Sequence, residues 1–393
     1  MNYDVLSGYW EKKEIFGLDG ALRTMNRKVV VIGPLNEGAL AESYARAFER
    51  LGMEVVRFDS EVAFMQASRF TGNRILRRAL RSSLWNAVNR EATQVAQRVQ
   101  PALIFALKCT FFHPETIRQI RKFTGAPFVN HYPDHPYIGI RWDPREASAQ
   151  RRDLIEVFRE YSILWMWEKS LVERLRNDGV ESQYLPFAVD PELFHTQQDR
   201  GQQIEEGIAC ELCHTTHDVA FVATYTRYRC DEVAAIRRHK VAIWGNNWPR
   251  KWREAGGQHR VHAPIWGRAF ADICTRAAVS LNVLNAENLG GPNMRTFEVP
   301  ASGGVMLARY SRAQNEFFPE GEAAVYYRSP EEIDDKLDEL LRDREFRARL
   351  RRNGARLAAA QTYDVRAAKV LRACGLKAGS ATADSSDSGR SSR

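Results

Sequence analysis

Three things are scarce in this chain of 393 residues, and each scarcity removes a class of protein. Cysteine occurs only six times and is scattered, which excludes a disulfide-built scaffold and makes free thiols the expectation. Long apolar runs are missing: Tyr161 to Trp167 (YSILWMW) falls far short of the ~20 residues that span a bilayer. The opening stretch MNYDVLSGYWEKKEIFG interleaves acids and lysines with apolar residues and holds no continuous apolar segment of a secretory leader, so a cytoplasmic location is expected. A decisive charge excess is the third absence: 57 Lys plus Arg face 49 Asp plus Glu, and the resulting +8 by itself does not choose among nucleic acid, an anionic membrane and phosphorylated small molecules. Aromatic residues do not interleave with the basic runs as base-stacking platforms would, so nucleic acid is not the expected partner.

What is there is ordinary globular composition, 44% hydrophobic and 27% charged, at a length that fits two domains. Lys28 to Ile32 (KVVVI) is a short β-branched run ending at Gly33, the pattern of a buried parallel strand. After the loop Gly33 to Gly38, the residues Leu40, Tyr44, Ala47, Phe48 and Leu51 recur at helical spacing and stop at Gly52, and Met53 to Phe58 returns as a strand. Pro101 to Leu107 and Pro127 to Asn130 extend the same sheet. A second series of strands begins with Ser162 to Trp167 and continues through Ser182 to Pro186, Val219 to Tyr225, Val241 to Trp244, Val279 to Leu284 and Val305 to Leu307. Two alternating series of this kind predict two doubly wound, Rossmann-like α/β domains facing each other across a cleft, with ligands at the C-terminal ends of the strands. The expected division is an N-terminal extension over 1–27, a first domain over 28–160, a second over 161–345, C-terminal helices over 346–377 and a disordered tail over 378–393. Ser329, Pro330 and Glu332 predict a helix start with a Ser cap.

Several constellations fall at predicted strand ends. Gly33 and Gly38 frame a cleft loop that lacks the spacing of a dinucleotide fingerprint. In Asn130 to Pro136 (NHYPDHP), His131, Asp134 and His135 would gather at a sheet edge, where imidazole and carboxylate handle protons or hold sugar hydroxyls; a rigid connecting loop is the plainer reading. Arg227 and Arg229 follow a strand and precede a helix, which suits a diphosphate, although pairing with a surface acid is the commoner fate of an arginine. Gly245 permits close backbone approach at the next strand end. In Asn282 to Leu307, Arg295 and Glu298 share one helix face: the carboxylate could accept two ribose hydroxyls or pair with Arg295. Cys210, Cys213, His214 and His217 match a haem or metal spacing, yet they sit in a polar connection and two surface thiols are expected there, with no metal and no cofactor. Arg74 to Arg81 offers a peripheral contact with an anionic membrane, its arginines flanking Leu76 and Leu80, or else a solvated helix face.

The segment Asn293-Met294-Arg295-Thr296-Phe297-Glu298, followed by Ala301-Ser302-Gly303-Gly304, resembles the signature of GT-B glycosyltransferases of the spore-maturation-protein B type, relatives of the retaining family-4 transferases. Leu185 to Pro191, Phe221 to Tyr225, Phe317 to Glu322 and Thr362 to Arg366 resemble further motifs of that group. The resemblance implies a nucleotide-sugar donor bound by the second domain. Glu298 would hold the ribose, Arg227 or Arg229 the diphosphate, and Gly245, Asn293 and Arg295 would line the donor site. His131 or Asp134 would contribute from the first domain, and the acceptor would be a hydroxyl on an undetermined glycan, protein or lipid-linked molecule. Three departures stand out: Gly290 occupies the place of an acid that family-4 enzymes often carry eight residues before the ribose-binding one, with Glu287 out of register; Ala223 replaces a glycine; and Pro300 interrupts the helix after Glu298. A nucleotide-sugar-binding scaffold without catalysis is the alternative they raise; the positive charge raises a more distant one, a basic nucleic-acid-binding protein.

Overall fold

The computed structural model describes residues 26–69, 80–138, 153–194, 216–249, 252, 258–286 and 290–378. Residues 1–25 of the expected extension, Arg74 to Ala79 of the basic run, Cys210, Cys213, His214, Glu287 and the tail beyond 378 lie outside the described residues.

The first sheet is built from β1 (Lys28–Gly33), β2 (Glu54–Asp59), β3 (Leu103–Leu107), β4 (Phe128–Tyr132), β5 (Ile163–Met166) and β6 (Ser182–Tyr184). All are parallel, in the order β2-β1-β3-β4-β5-β6. Its crossover helices are α1 (Leu40–Arg50), α2 (Ser60–Ala67), α3 (Arg81–Val99), α4 (Pro114–Thr124) and α5 (Lys169–Asn177). The β-branched run of β1 explains its central place. Val29 and Val31 enter one apolar cluster and Val30 and Ile32 another, so both faces of the strand are covered, as a parallel sheet between helix layers requires. Helix α1 buries Tyr44, Ala47 and Phe48 on the predicted stripe and is stopped by Gly52 at φ +74°.

The second sheet comprises β7 (His217–Val222), β8 (Val241–Trp244), β9 (Arg260–His262), β10 (Ala277–Asn282), β11 (Met306–Arg309) and β12 (Val325–Tyr327), in the order β12-β11-β10-β7-β8-β9. Around it lie α6 (Arg227–Ala234), α7 (Gly267–Arg276), α8 (Met294–Ala301), α9 (Arg312–Phe317), α10 (Ile333–Arg342) and α11 (Arg344–Ala358). Among the described residues, no helix is long and apolar enough to cross a membrane.

The domain boundary differs from the predicted one at 160/161. Val129 aligns with Ile163 and Leu164 with Ser182, so β5 and β6 complete the first sheet and the second begins only at His217. The C-terminal helices also divide. Helix α11 stays on the second domain, where Arg351 donates to the carbonyls of Gly303 (2.8 Å) and Ala277 (2.7 Å). The last helix, α12 (Tyr363–Ala373), returns to the first domain and packs on α1, with the Tyr44 and Tyr363 rings 4.9 Å apart. An ion-pair cluster ties this return to the link between domains. Asp190, buried, accepts from Arg46 Nε at 2.9 Å, and Arg50 reaches Asp364 at 2.6 Å. The predicted Ser329 cap is not made: a 3-10 turn, Pro330–Glu332, precedes α10, and Glu332 accepts from the Arg328 N–H at 2.8 Å instead. Helix α8 runs through Pro300 to Ala301 rather than breaking after Glu298.

Candidate functional site

In the second sheet the strand order reverses between β7 and β10, which lie side by side. At such a switch point the two departing loops diverge and leave a crevice at the C-terminal edge, the usual ligand site of an open α/β sheet. Arg229 bridges these loops, donating from Nε to the Val283 carbonyl (3.3 Å) and from Nη1 to the Thr224 carbonyl (3.1 Å). Thr226 caps α6 by accepting the Arg229 N–H at 3.2 Å, which fixes the start of that helix beside the crevice. Arg227 points elsewhere: its side chain is 85% exposed and pairs with Asp231 one turn along, at 3.0 Å. Of the two arginines expected at a diphosphate, only Arg229 stands at the switch point.

The remaining donor-side candidates are used internally. A methyl group on Gly245 would lie 1.8 Å from the Ala223 carbonyl oxygen, and Trp248 Nε1 donates to that same oxygen at 2.9 Å. Gly245 is therefore required by strand packing, whatever ligand lies above it. Asn293 caps α8: its Oδ1 accepts from the Thr296 N–H at 2.9 Å, and its amide exchanges hydrogen bonds with Asn282 at 2.9 and 3.1 Å. That places Asn293 in a structural network with Thr296 and Gln314 rather than at an open surface. Arg295 stacks on the Phe270 ring at 3.9 Å and pairs through Nη1 with Glu298 Oε2. Glu298 is 3% exposed, and burial raises its carboxyl above the usual range despite the opposing Arg295 charge. Of the two uses open to Glu298 in the sequence, the structure displays the pairing with Arg295.

On the first-domain side, Gly33 lies against the end of β3, where a Cβ would meet Ala41 at 2.9 Å and Leu107 at 3.2 Å. Gly38, at φ +80°, ends the loop against the second domain, beside Trp266 and Gly267. His131 is not in a loop. It is the fourth residue of β4, fully buried, with its ring 5.6 Å from Tyr44 and 5.8 Å from Phe187. Burial, helped by the Arg366 charge, pushes its pKa down to about 3, so the ring is neutral and sealed from the cleft. The reading of His131 as a catalytic group is corrected accordingly: the strand extends two residues beyond the predicted Asn130. Asp134 does lie past the strand end, paired with Lys108 at 2.5 Å and one-third exposed. His135 accepts the N–H groups of Tyr137 and Ile138 at Nδ1, both at 3.2 Å, which leaves Nε2 to carry the proton when the ring is neutral.

Two first-domain carboxylates meet the second domain without having been singled out in the sequence. Glu37 approaches Gly267 at the start of α7, and Glu168, at the end of β5, approaches Gly290. Trp266, 56% exposed, stands next to the first of these contacts. The available signal was positional, since both acids follow predicted strands at the sheet's C-terminal edge. Among the described residues, no group of three or more His, Cys, Asp or Glu side chains is placed to hold a metal ion.

Residues 227–372 match a family model described as glycosyl transferase-like. No curated protein matches the chain in sequence. The fold is shared with sucrose-phosphate synthase from Thermosynechococcus elongatus (TM-score 0.65, 13% identity, 88% of this chain and 98% of the other). It is shared also with Anabaena HepE in complex with UDP-glucose (TM-score 0.54, 12% identity, 88% and 99%). A third likeness is to UDP-GlcNAc 2-epimerase from Neisseria meningitidis bound to UDP-GlcNAc (TM-score 0.51, 10% identity, 88% and 99%). The architecture is GT-B, two Rossmann-like parallel-sheet domains, and the glycosyl transferase-like match runs from α6 of the second domain through α11 into α12.

Proposed function

We propose that this protein is a glycosyltransferase, of the spore-maturation-protein B type its α8 signature resembles, that moves a sugar from a nucleoside diphosphate to a hydroxyl acceptor with retention of configuration. The observation that carries the reading is Arg229 at the β7/β10 switch point, inside the segment that matches a glycosyl transferase-like model. Its guanidinium and the capped start of α6 supply positive potential where a diphosphate leaves, and the cleft holds donor and acceptor in register. The ribose is assigned to the Glu298 oxygen that Arg295 does not hold. No resident cofactor is assigned. Complexes of fold relatives with UDP, UDP-glucose and UDP-GlcNAc favour a uridine nucleotide as the first donor to test.

Gly290 and the closed Arg295–Glu298 pair favour one other reading, a binder of nucleotide-sugars that does not turn them over. A thermal-shift panel of UDP, GDP and ADP with their sugar conjugates tests the shared part of both readings, because a ligand held only by the native state raises its melting temperature. Stabilisation by one nucleoside diphosphate family is expected; a flat panel would remove both.

A further inference from the structure

Glu168 follows β5 and occupies the N-cap position of α5, but its side chain accepts no N–H group of that helix. Its carboxylate turns instead to the second domain: a methyl group on Gly290 would lie 2.5 Å from Oε1, 2.9 Å from Cδ and 3.2 Å from Oε2. The neighbouring Gly291 is equally bare because the Trp167 ring fills the space its Cβ would need, at 2.4 Å. Glu168 therefore stands where residue 290 has no side chain, against the loop that leads into α8.

Glu168 meets no cation among the described residues; its one hydrogen bond comes from the Ser170 hydroxyl, and the adjacent Lys169 is engaged with Glu316 of the second domain at 3.1 Å. It is only half-buried, so water can satisfy its remaining lone pairs, and a ligand's hydroxyls can replace that water. His135, one strand over, lies near enough to feel the Glu168 charge.

We propose that Glu168 holds hydroxyls of the donor's sugar, supplying from the first domain a carboxylate at the place where residue 290 of the second domain has no side chain. This deepens the transferase reading and rests on it. The ligand class is a hexose attached to a nucleoside diphosphate, because a carboxylate only accepts hydrogen bonds and a sugar ring presents several hydroxyl donors side by side. The arrangement also makes sugar recognition depend on both domains, since the loop belongs to one and the acid to the other.

Calorimetric titrations of wild type, Glu168→Gln and Glu168→Asp test this, using whichever of the pairs UDP and UDP-glucose, GDP and GDP-mannose, or ADP and ADP-glucose binds the wild type best. A hydrogen bond to a charged partner gives the expected scale: for both variants the Kd of the nucleotide-sugar should rise roughly tenfold to a hundredfold. The Kd of the bare nucleoside diphosphate should stay within about twofold, because that part of the ligand does not reach Glu168. Glu168→Asp keeps the charge and withdraws the carboxylate by one methylene, so it gives the same selective loss should the neutral variant fold poorly. Equal losses for both ligands, or no loss for either, would overturn the Glu168 assignment while donor binding by the wild type stood. A wild type that binds none of the six ligands would overturn the transferase reading and this inference together.

Discussion

Replacing His131 with Leu separates a buried structural imidazole from a catalytic one. In the folded protein the ring is wedged between Tyr44 and Phe187, and its pKa falls from 6.5 to about 3, mainly through burial. A depressed pKa on a basic group means that, between about pH 6.5 and about pH 3, the unfolded chain takes up a proton that the native chain refuses. Stability contributed by this residue is thus complete above pH 6.5 and is lost as pH falls through that window. Worked through the two values, the loss between pH 7 and pH 5 is roughly 2 kcal/mol. Urea denaturation of wild type and His131→Leu at both pH values reads it directly. The variant should equal or exceed wild-type stability at pH 7, since removing a polar ring that lacks well-formed hydrogen bonds is inexpensive, and should lose about 2 kcal/mol less on going to pH 5. Identical pH dependence in the two proteins would show that His131 is not a buried neutral imidazole, and a variant with wild-type stability but no activity would make it a catalytic group.

Three further outcomes follow from the geometry. Gly245→Ala must push apart the ends of β7 and β8 and break the Trp248 bond to Ala223, at a cost of about 2–4 kcal/mol in denaturation experiments; an unchanged melting temperature with weakened ligand binding would mean the glycine serves the ligand instead. Asp190→Asn leaves Arg46 without its buried partner and should cost about 3 kcal/mol, whereas a loss below about 1 kcal/mol would show that the cluster with Arg50 and Asp364 redistributes freely. Arg229→Ala should weaken nucleoside diphosphate binding by roughly tenfold or more while Arg227→Ala changes it less than about twofold, and the reverse ranking in calorimetry would displace the diphosphate from the switch point.

Strand composition made the framework legible. KVVVI and LIFAL have no polar face, so only a sheet covered on both sides accommodates them, and Gly52 marks the end of α1. What local pattern does not contain is pairing. Nothing in YSILWMW says that Ile163 lies beside Val129, so the two strands that complete the first sheet cannot be assigned to it from the sequence. The site was legible to a similar degree. Arg229 follows from its place between strand and helix, but Arg227, two residues away, has the same local credentials and differs only in having Asp231 one turn along. Asn293 shows how a motif residue can serve the backbone: an Asn three residues before Thr296 is a capping pair, and its amide is spent there and on Asn282. Glu168 depends on the other domain's glycine, a relation that no window of sequence holds.

The central claim is transfer from a nucleotide-sugar, and the most direct test follows the donor's anomeric and phosphorus signals by NMR while the full-length protein is incubated with the donor that stabilises it best. The donor is expected to be consumed, free nucleoside diphosphate to accumulate, and the released or transferred sugar to keep the donor's anomeric configuration in its first-formed product, with Arg229→Ala slowing all of this. A donor that remains intact would identify a binding protein without turnover. A sugar whose ring stereochemistry changes while it is still attached to the nucleotide would identify an epimerase on the same fold, and either result would contradict the account.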